Sequence, residues 1–260
     1  MVSSSKSTAQ QRAPNDESIE SVELGSFADF IDEFPLAGER LYLTVFERNS
    51  GFVKTQKTKF AVVNLEKILT STFEVSAESG FDRMSLRDLS RQTGMSMGAI
   101  YSCISKKEDI AIMIADIVKL SNSFAHRHAL DGNDAWHRIE RVIRYHLYAS
   151  TVLQSWYFFL YFETRSLPEP QQQESKQIEL GSIDALEAAI LAGVESGEFK
   201  TNDARMVANT IVVLLEDWYL KPWKTRVFEY KNDAIHKQEE LINQYNRSLL
   251  ELVKTLVAYS

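Results

Sequence analysis

The stretch Met84-Ser-Leu-Arg-Asp-Leu-Ser-Arg-Gln-Thr-Gly-Met-Ser-Met-Gly-Ala-Ile-Tyr-Ser-Cys-Ile-Ser-Lys-Lys107 predicts two short helices joined by a tight turn. Ser85 is a favourable N-cap for the first helix, which we expect to end near Gln92. Gly94 then supplies a residue that readily adopts a positive φ. Ser96 is the N-cap of a second helix of about two turns, with Ile100 and Ile104 facing inward.

Small residues occupy the exposed start of that second helix, where Ser96 and Met97 are followed by Gly98 and Ala99. A helix that enters the major groove of DNA needs such a start, because the groove is only about 12 Å wide and the first residues lie near the base edges. The pattern therefore favours a helix-turn-helix. An ordinary helical hairpin is the alternative that the pattern alone leaves open.

The surrounding residues resemble the TetR-type family of bacterial transcriptional repressors, over a stretch from Thr55 to Asp109. Leu65-Glu-Lys-Ile-Leu69 resembles the first helix of that family, and Glu78-Ser-Gly-Phe81 resembles its end. The remaining matches, in the expected order and spacing, are Ser85-Leu-Arg-Asp-Leu89, Thr93-Gly-Met-Ser96, Gly98-Ala-Ile-Tyr101 and Ser105-Lys-Lys-Glu108. The sequence departs from the family pattern at Met97 and at Ser102-Cys-Ile104, so the base preference does not carry over.

The resemblance implies an all-α protein in which a three-helix, helix-turn-helix DNA-binding domain precedes a helical ligand-binding and dimerisation domain. We expect a disordered tail at residues 1–21, a helical extension at 22–53, the DNA-binding domain at 54–107 and the second domain at 108–260. The implied function is a homodimeric repressor that an apolar small molecule releases from a palindromic double-stranded operator. The alternative is a helical protein that binds a small molecule or a partner and does not use this domain on DNA.

Lysines precede the first helix of the motif at Lys54, Lys57 and Lys59. They are either a solvated face or an arm that neutralises phosphates or enters the minor groove. From Lys54 to Lys119 there are ten Lys/Arg and eight Asp/Glu, which gives this segment a net charge of +2. Since the whole chain has a formal net charge of −7, the remaining residues together carry −9. The expected DNA-binding residues are Lys54, Lys57, Lys59, Ser85, Arg87, Ser96, Met97, Gly98, Ala99, Tyr101, Ser102, Lys106 and Lys107.

Composition is that of a globular protein, with 260 residues, 44% hydrophobic and 25% charged. The single cysteine, Cys103, cannot form an internal disulfide and fits a reducing compartment. No apolar run is long enough to span a bilayer and no signal pattern begins the sequence, so we expect a cytoplasmic protein. No phosphate loop, nucleophile pattern or metal-ligand spacing is present, and we expect neither catalysis nor a cofactor or metal.

Apolar residues also cluster in the extension that precedes the motif. Phe27, Phe30, Ile31 and Phe34 have helical spacing, and a second short helix is predicted after Pro35. This extension is either a flap that packs on its own chain or on a dimer mate, or an element that binds a partner.

The segment 133–165 is rich in aromatic residues, which either form plain core or line a pocket of the kind that the TetR-type resemblance places here. The expected ligand is apolar with one polar or anionic end, and His146 and Arg165 are its expected anchors. The expected ligand-binding residues are Trp136, His146, Trp156, Tyr157, Tyr161, Phe162 and Arg165.

The last two helices carry apolar stripes that suit near-parallel helix packing. The resemblance implies that they form a four-helix dimer interface, while packing within the chain must account for part of the stripes. The expected interface residues are Ile211, Leu215, Trp218, Ile242, Tyr245, Leu249 and Leu252.

Overall fold

A computed structural model describes residues 24–51, 53–54, 57–130, 133–224 and 234–258. The tail expected at residues 1–21 lies outside this part of the chain. All regular structure in the described residues is helical, which confirms the all-α prediction. No described helix is both long and apolar enough to cross a membrane.

The helices fall into three groups in chain order. The N-terminal extension consists of α1 (Phe27–Glu33) and α2 (Gly38–Arg48), and the head consists of α3 (Thr58–Ser79), α4 (Leu86–Thr93) and α5 (Met97–Tyr101). The body consists of α6 (Glu108–Leu130), α7 (Ala135–Val152), α8 (Gln154–Glu163), α9 (Glu169–Ser196), α10 (Ala204–Leu220) and α11 (Ala234–Leu256).

The head is held together by one apolar stripe on α3. Leu65, Ile68 and Leu69 on that stripe are buried, as the spacing of the sequence predicts. Leu89 of α4 and Ile100 of α5 are fully buried in the same core. The two short helices therefore gain their stability from packing on α3, since neither is long enough to be stable alone.

The N-terminal extension packs on its own chain. The Phe30 ring lies 5.7 Å from the Tyr145 ring and 5.2 Å from the Tyr148 ring of α7, measured between centroids. The backbone N–H of Phe27 donates to Oε1 of Glu239 in α11 at 3.1 Å. The two predicted helices are present, and α2 packs along α3 of the head. The extension thus contacts both the head and the body.

The first helix of the body begins at Glu108. The carboxylate of Asp109 accepts hydrogen bonds from the backbone N–H groups of Ser105 and Lys106, at 2.8 and 3.0 Å. Ser105 and Lys106 therefore form a capped approach to α6 rather than its first turn.

One close contact fixes the end of α9. The backbone N–H of Phe199 donates to the carbonyl of Gly193 at 3.0 Å, and the ring of Phe199 lies directly over that glycine. A Cβ at position 193 would meet Cδ2 of Phe199 at 2.1 Å. Glycine is required here because the ring occupies the space of a side chain.

Candidate functional site

The turn between α4 and α5 is fixed by local hydrogen bonds. Ser85 and Asp88 form a capping box, in which Oγ of Ser85 accepts from the Asp88 N–H at 3.3 Å and the Asp88 carboxylate accepts from the Ser85 N–H at 2.9 Å. The Ser85 hydroxyl also donates to the Asp88 carboxylate at 2.7 Å, and this bond, followed by the one from the Ser85 N–H, lowers the pKa of Asp88. Gly94 has φ 67°, and Oγ of Ser96 accepts from the Ala99 N–H at 3.2 Å. Both predicted caps and the positive φ are confirmed.

The start of α5 is open to an approaching surface. A Cβ added to Gly98 would meet only Oγ of Ser96, at 3.9 Å. Ser96 and Gly98 are exposed, and Tyr101 is 44% exposed. The helix is shorter than the two expected turns, because the Cys103 N–H bonds the Ile100 carbonyl at 2.9 Å and closes the helix after Tyr101.

The lysine segment lies beside α5. The backbone N–H of Lys54 donates to the carbonyl of Ser102 at 2.9 Å, and the side chains of Lys54, Lys57 and Lys59 are all exposed. Phe60 is 63% exposed, and the Nζ of Lys57 lies 6.0 Å from its ring centroid. The sequence analysis missed Phe60. Its position in the first turn of α3, directly after three lysines, is the signal that could have identified it.

Lys107 has a role within the head. Its Nζ donates to the carbonyls of Phe81 and Asp82 at 3.0 and 2.8 Å and lies 5.0 Å from the centroid of the Phe81 ring. These bonds tie the end of α3 to the approach to α6. An ammonium group has three protons, so one proton stays available for a phosphate. Arg87 and Lys106 are exposed.

Cys103 lies on the inner side of the segment after α5. Its side chain is fully buried, and burial raises the pKa of the thiol. A buried, protonated thiol reacts slowly with oxidants. Packing therefore explains this residue better than redox sensing does.

A cavity lies inside the body between α6, α7, α8, α9 and α10. The volume of the cavity is about 70 Å³. Its wall includes His146, Tyr157 and Tyr161 from the expected ligand-binding set. The rest of the wall is Val118, Asn122, Ala125, Val142, Leu160, Ser175, Ile178, Glu179, Ser182, Ala185, Leu186, Val212, Leu215, Glu216 and Tyr219.

The other four residues of the expected ligand-binding set lie outside this cavity. Trp156 faces the head, where its ring is 5.4 Å from the ring of Phe73. Trp136 packs near α11, with the Nζ of Lys254 at 5.3 Å from its ring. Phe162 stacks on Phe158, and Arg165 is exposed in the 3-10 turn Thr164–Ser166. The aromatic residues of α8 therefore lie on two different surfaces, and their spacing in the sequence does not show which residue lies on which surface.

The polar groups of the cavity are mostly neutral or acidic. Burial lowers the pKa of His146 to about 4, and its Nε2 has less than 1 Å² of accessible surface and no hydrogen-bond partner among the described residues. The Tyr157 hydroxyl lies 2.8 Å from Oδ1 of Asn122. Burial, followed by repulsion from Glu179, raises the pKa of Glu216 to about 7. The sequence analysis missed both carboxylates, because they lie on α9 and α10, outside the aromatic segment.

The expected interface residues differ in how far they are buried within the single chain. Ile211, Leu215, Trp218, Ile242 and Leu249 are buried inside the single chain, and Tyr245 donates from its hydroxyl to the Leu214 carbonyl at 2.6 Å. Packing within the chain therefore accounts for these six. Leu252 is 44% exposed. Other exposed apolar side chains on the same two helices are Met206 and Val213 of α10 and Ile235 of α11.

Two helices link the cavity to the head, α8 through side-chain contacts and α6 through its position next in the chain. On α8, Tyr157 and Tyr161 line the cavity, whereas the ring of Phe159 lies 5.1 Å from the Phe81 ring. The carboxylate of Glu163, at the end of α8, accepts from the Phe81 N–H at 3.1 Å. Helix α6 contributes Val118 and Asn122 to the cavity and adjoins the head at its first turn.

Comparison with known proteins gives one family match and a set of similar structures. Residues 132–221 match the family described as tetracyclin repressor-like, C-terminal domain. No curated protein matches the chain. Among solved structures, a bacterial regulatory protein in the TetR family from Rhodococcus RHA1 is 21% identical, with a TM-score of 0.60, over 76% of this chain and 98% of that chain.

Two further structures give the same result. The TetR family transcriptional regulator PfmR from Thermus thermophilus is 22% identical, with a TM-score of 0.58, over 71% of this chain and 97% of that one. The transcriptional regulator FadR from Bacillus subtilis, solved in complex with stearoyl-CoA, is 21% identical, with a TM-score of 0.55, over 74% and 98%. These likenesses show the fold, and the family match adds that residues 132–221 are similar to the C-terminal domain of tetracyclin repressor-like proteins.

Proposed function

We propose that this protein is a homodimeric, ligand-responsive DNA-binding regulator of transcription, and specifically a repressor that a small molecule releases from a palindromic operator. The observation that carries the proposal is the start of α5. It has a capped N-terminus, an exposed Gly98 with open space around its Cα, and exposed lysines on the segment beside it. A regulator of this kind is not an enzyme.

The docking proposal assigns two kinds of contact. Ser96, Met97, Gly98 and Ala99 approach base edges, because the first residues of a recognition helix lie deepest in the major groove. The exposed lysines, with Arg87 and Tyr101, contact phosphates, which position the protein but carry no sequence information.

The dimer proposal uses the faces of α10 and α11 that the single chain leaves exposed. Met206 and Val213 are 60% and 53% exposed and lie seven residues apart, so they share one face of α10. Leu252 is exposed on α11. A second copy of the chain packed on these faces would supply the two-fold pair of heads that a palindrome requires.

The release proposal follows from the two helices that link the cavity to the head. A ligand that changes the packing of Tyr157 or Val118 displaces α8 or α6, and either helix moves the head through Glu163 or the approach to α6. To convert almost all molecules from competent to incompetent, the ligand must prefer the second state by about 5.5 kcal/mol. Two cavities in a dimer can share that preference.

The test begins with DNA. Genomic fragments retained by the purified protein are sequenced, and we expect a palindrome whose binding weakens steeply as salt rises. Absence of specific retention would reject the regulator and leave a helical protein that binds only small molecules. Ligand affinity is then measured with and without saturating operator. The two affinities must differ by the factor with which the ligand weakens DNA binding, because the coupling is reciprocal.

A further inference from the structure

The cavity in the body has a polarity that its apolar wall does not reveal. Among the described residues that line it, the charged side chains are Glu179 and Glu216, with no lysine or arginine. Glu179 is exposed at the rim, while Glu216 is half-buried. Neither carboxylate has a hydrogen bond or an ion pair among the described residues, although most other half-buried charges of the body have one.

We propose that this cavity binds a cationic ligand, an amine or quaternary ammonium with an apolar portion, and that Glu216 and Glu179 are its counter-charges. The inference rests on the proposed function only in treating the cavity as the regulatory site. The sequence favours a polar or anionic end anchored by His146 and Arg165, whereas the cavity wall contains two carboxylates and does not include Arg165.

The aromatic residues of the wall are a further argument for a cationic ligand. The rings of Tyr157 and Tyr219 lie 5.2 Å apart between centroids, and the imidazole of His146 lies 5.5 Å from the Tyr157 ring. Tyr161 continues this wall and is 48% exposed. The faces of such rings attract cations, and aromatic walls are a common site for quaternary ammonium groups.

His146 gives the second, independent sign of a ligand. Its ring lines the cavity, yet Nε2 is buried and has no partner among the described residues. A buried nitrogen without a hydrogen bond costs free energy, which a bound polar group would recover. The low pKa of about 4 keeps this ring neutral at pH 7, so it cannot serve as the positive anchor of an anion.

Alternative ligand charges are disfavoured by the same groups. An anion would face two carboxylates without any basic side chain to offset them. A neutral ligand would bury Glu216 further while leaving its charge uncompensated, which forces the carboxyl group to stay protonated. A cation alone removes both penalties.

The test compares three probes of equal chain length by calorimetry on the full chain: hexylammonium, hexanol and hexanoate. We expect hexylammonium to bind at least about tenfold more tightly than hexanol, from its charge and its contact with the tyrosine rings, and hexanoate to bind most weakly. Glu216→Gln and Glu179→Gln should each reduce that advantage. Glu195→Gln, an exposed carboxylate on α9 outside the cavity, should leave it unchanged.

The pH dependence provides a second readout. Glu216 faces Glu179 of α9, Tyr219 of its own helix, Tyr157 and Tyr161 of α8 and His146 of α7, and α6 contributes only neutral groups to the wall. The cation favours ionised Glu216, whose pKa is raised to about 7, so affinity for hexylammonium should rise from pH 6 to pH 8. This rise should disappear in Glu216→Gln.

Equal affinity for the three probes, tighter binding of hexanoate, no binding of hexylammonium, or an unchanged Glu216→Gln variant would each overturn the cationic assignment. The result of the probe titrations does not depend on whether the proposed function is correct. A chain that retains no DNA can still prefer the ammonium probe, and a chain that retains its operator can still prefer hexanoate.

Discussion

Gly98 in the head and Gly193 in the body have opposite surroundings. A Cβ at Gly98 would have a single neighbour at 3.9 Å, whereas a Cβ at Gly193 would lie 2.1 Å from the ring of Phe199. The first glycine keeps a surface free for something outside the chain, and the second keeps space for a side chain of the same molecule. In the proposed function Gly98 is small for binding, whereas Gly193 is small for packing.

The largest expected effect is the loss of operator binding in Gly98→Leu. A Cβ at this position would meet only Oγ of Ser96, at an ordinary contact distance of 3.9 Å, so the free energy of unfolding should not fall, but the leucine side chain would hold α5 away from the groove. We expect binding to weaken by about a hundredfold or more, equivalent to ~2.7 kcal/mol, in a gel-shift titration. Gly98→Ala is the matched control and should lose much less. Operator affinity retained by the leucine variant would disprove the docking proposal.

The next effect belongs to the body. Gly193→Ala forces the Phe199 ring out of place, and we expect the free energy of unfolding to drop by about 1–3 kcal/mol in urea denaturation. The double variant Gly193→Ala, Phe199→Leu should recover part of the loss, because the smaller side chain leaves room for the methyl group. A single variant as stable as the natural chain would mean that the ring moves at no cost, and the contrast between the two glycines would vanish.

A smaller effect is expected at the cavity. The raised pKa of Glu216 means that the folded state binds its proton more tightly, so stability falls as pH rises from about 4.5 to about 7. Water partly screens the half-buried carboxylate, so the effect on stability is smaller than the change in pKa alone would give. We therefore expect Glu216→Gln to be more stable than the natural chain by about 1 kcal/mol above pH 7. Thermal denaturation at pH 4 should show no difference, since the carboxyl group is then protonated in both states. A difference that persists at pH 4 would assign the effect to packing.

The smallest effect separates two adjacent lysines of the head. Lys106 is exposed, so Lys106→Ala should reduce the salt dependence of operator binding by about one unit of slope without affecting unfolding. Lys107 holds two carbonyl groups, so Lys107→Ala should lower the melting temperature as well as weaken binding. If both variants change only the slope, the hydrogen bonds of Lys107 contribute nothing to stability.

The head was predictable because its determinants are local in sequence. Ser85, Gly94 and Ser96 act within three or four residues of their own positions, and such caps can be read without knowledge of the fold. The polarity of the cavity was not predictable. Glu179 and Glu216 come together only because α9 packs against α10, and nothing in either helix alone indicates that contact.

The division of the aromatic segment between two surfaces was not predictable for a related reason. Tyr157 and Phe159 are two residues apart, yet one lines the cavity and the other contacts the head. Spacing shows that a helix has two apolar faces, but it does not show which face meets which neighbour. The polar or anionic end expected for the ligand was assigned partly from Arg165, and that residue lies outside the cavity.

The guanidinium of Arg48 in α2 bonds both carboxylate oxygens of Asp116 in α6, each at 2.7 Å. For protein engineering, this pair means that a chimera which replaces α2 but keeps α6 would lose an ion pair. A graft that exchanges only α3 to α5 with another regulator would keep the pair but lose the matched surface between α2 and α3. A transplant beginning upstream of α1 would instead strip Phe30 from the rings of α7. The smallest part of this protein that can be changed without disturbing these contacts is therefore the segment from Ser85 to Tyr101, and the proposed operator specificity should be altered there by residue replacement.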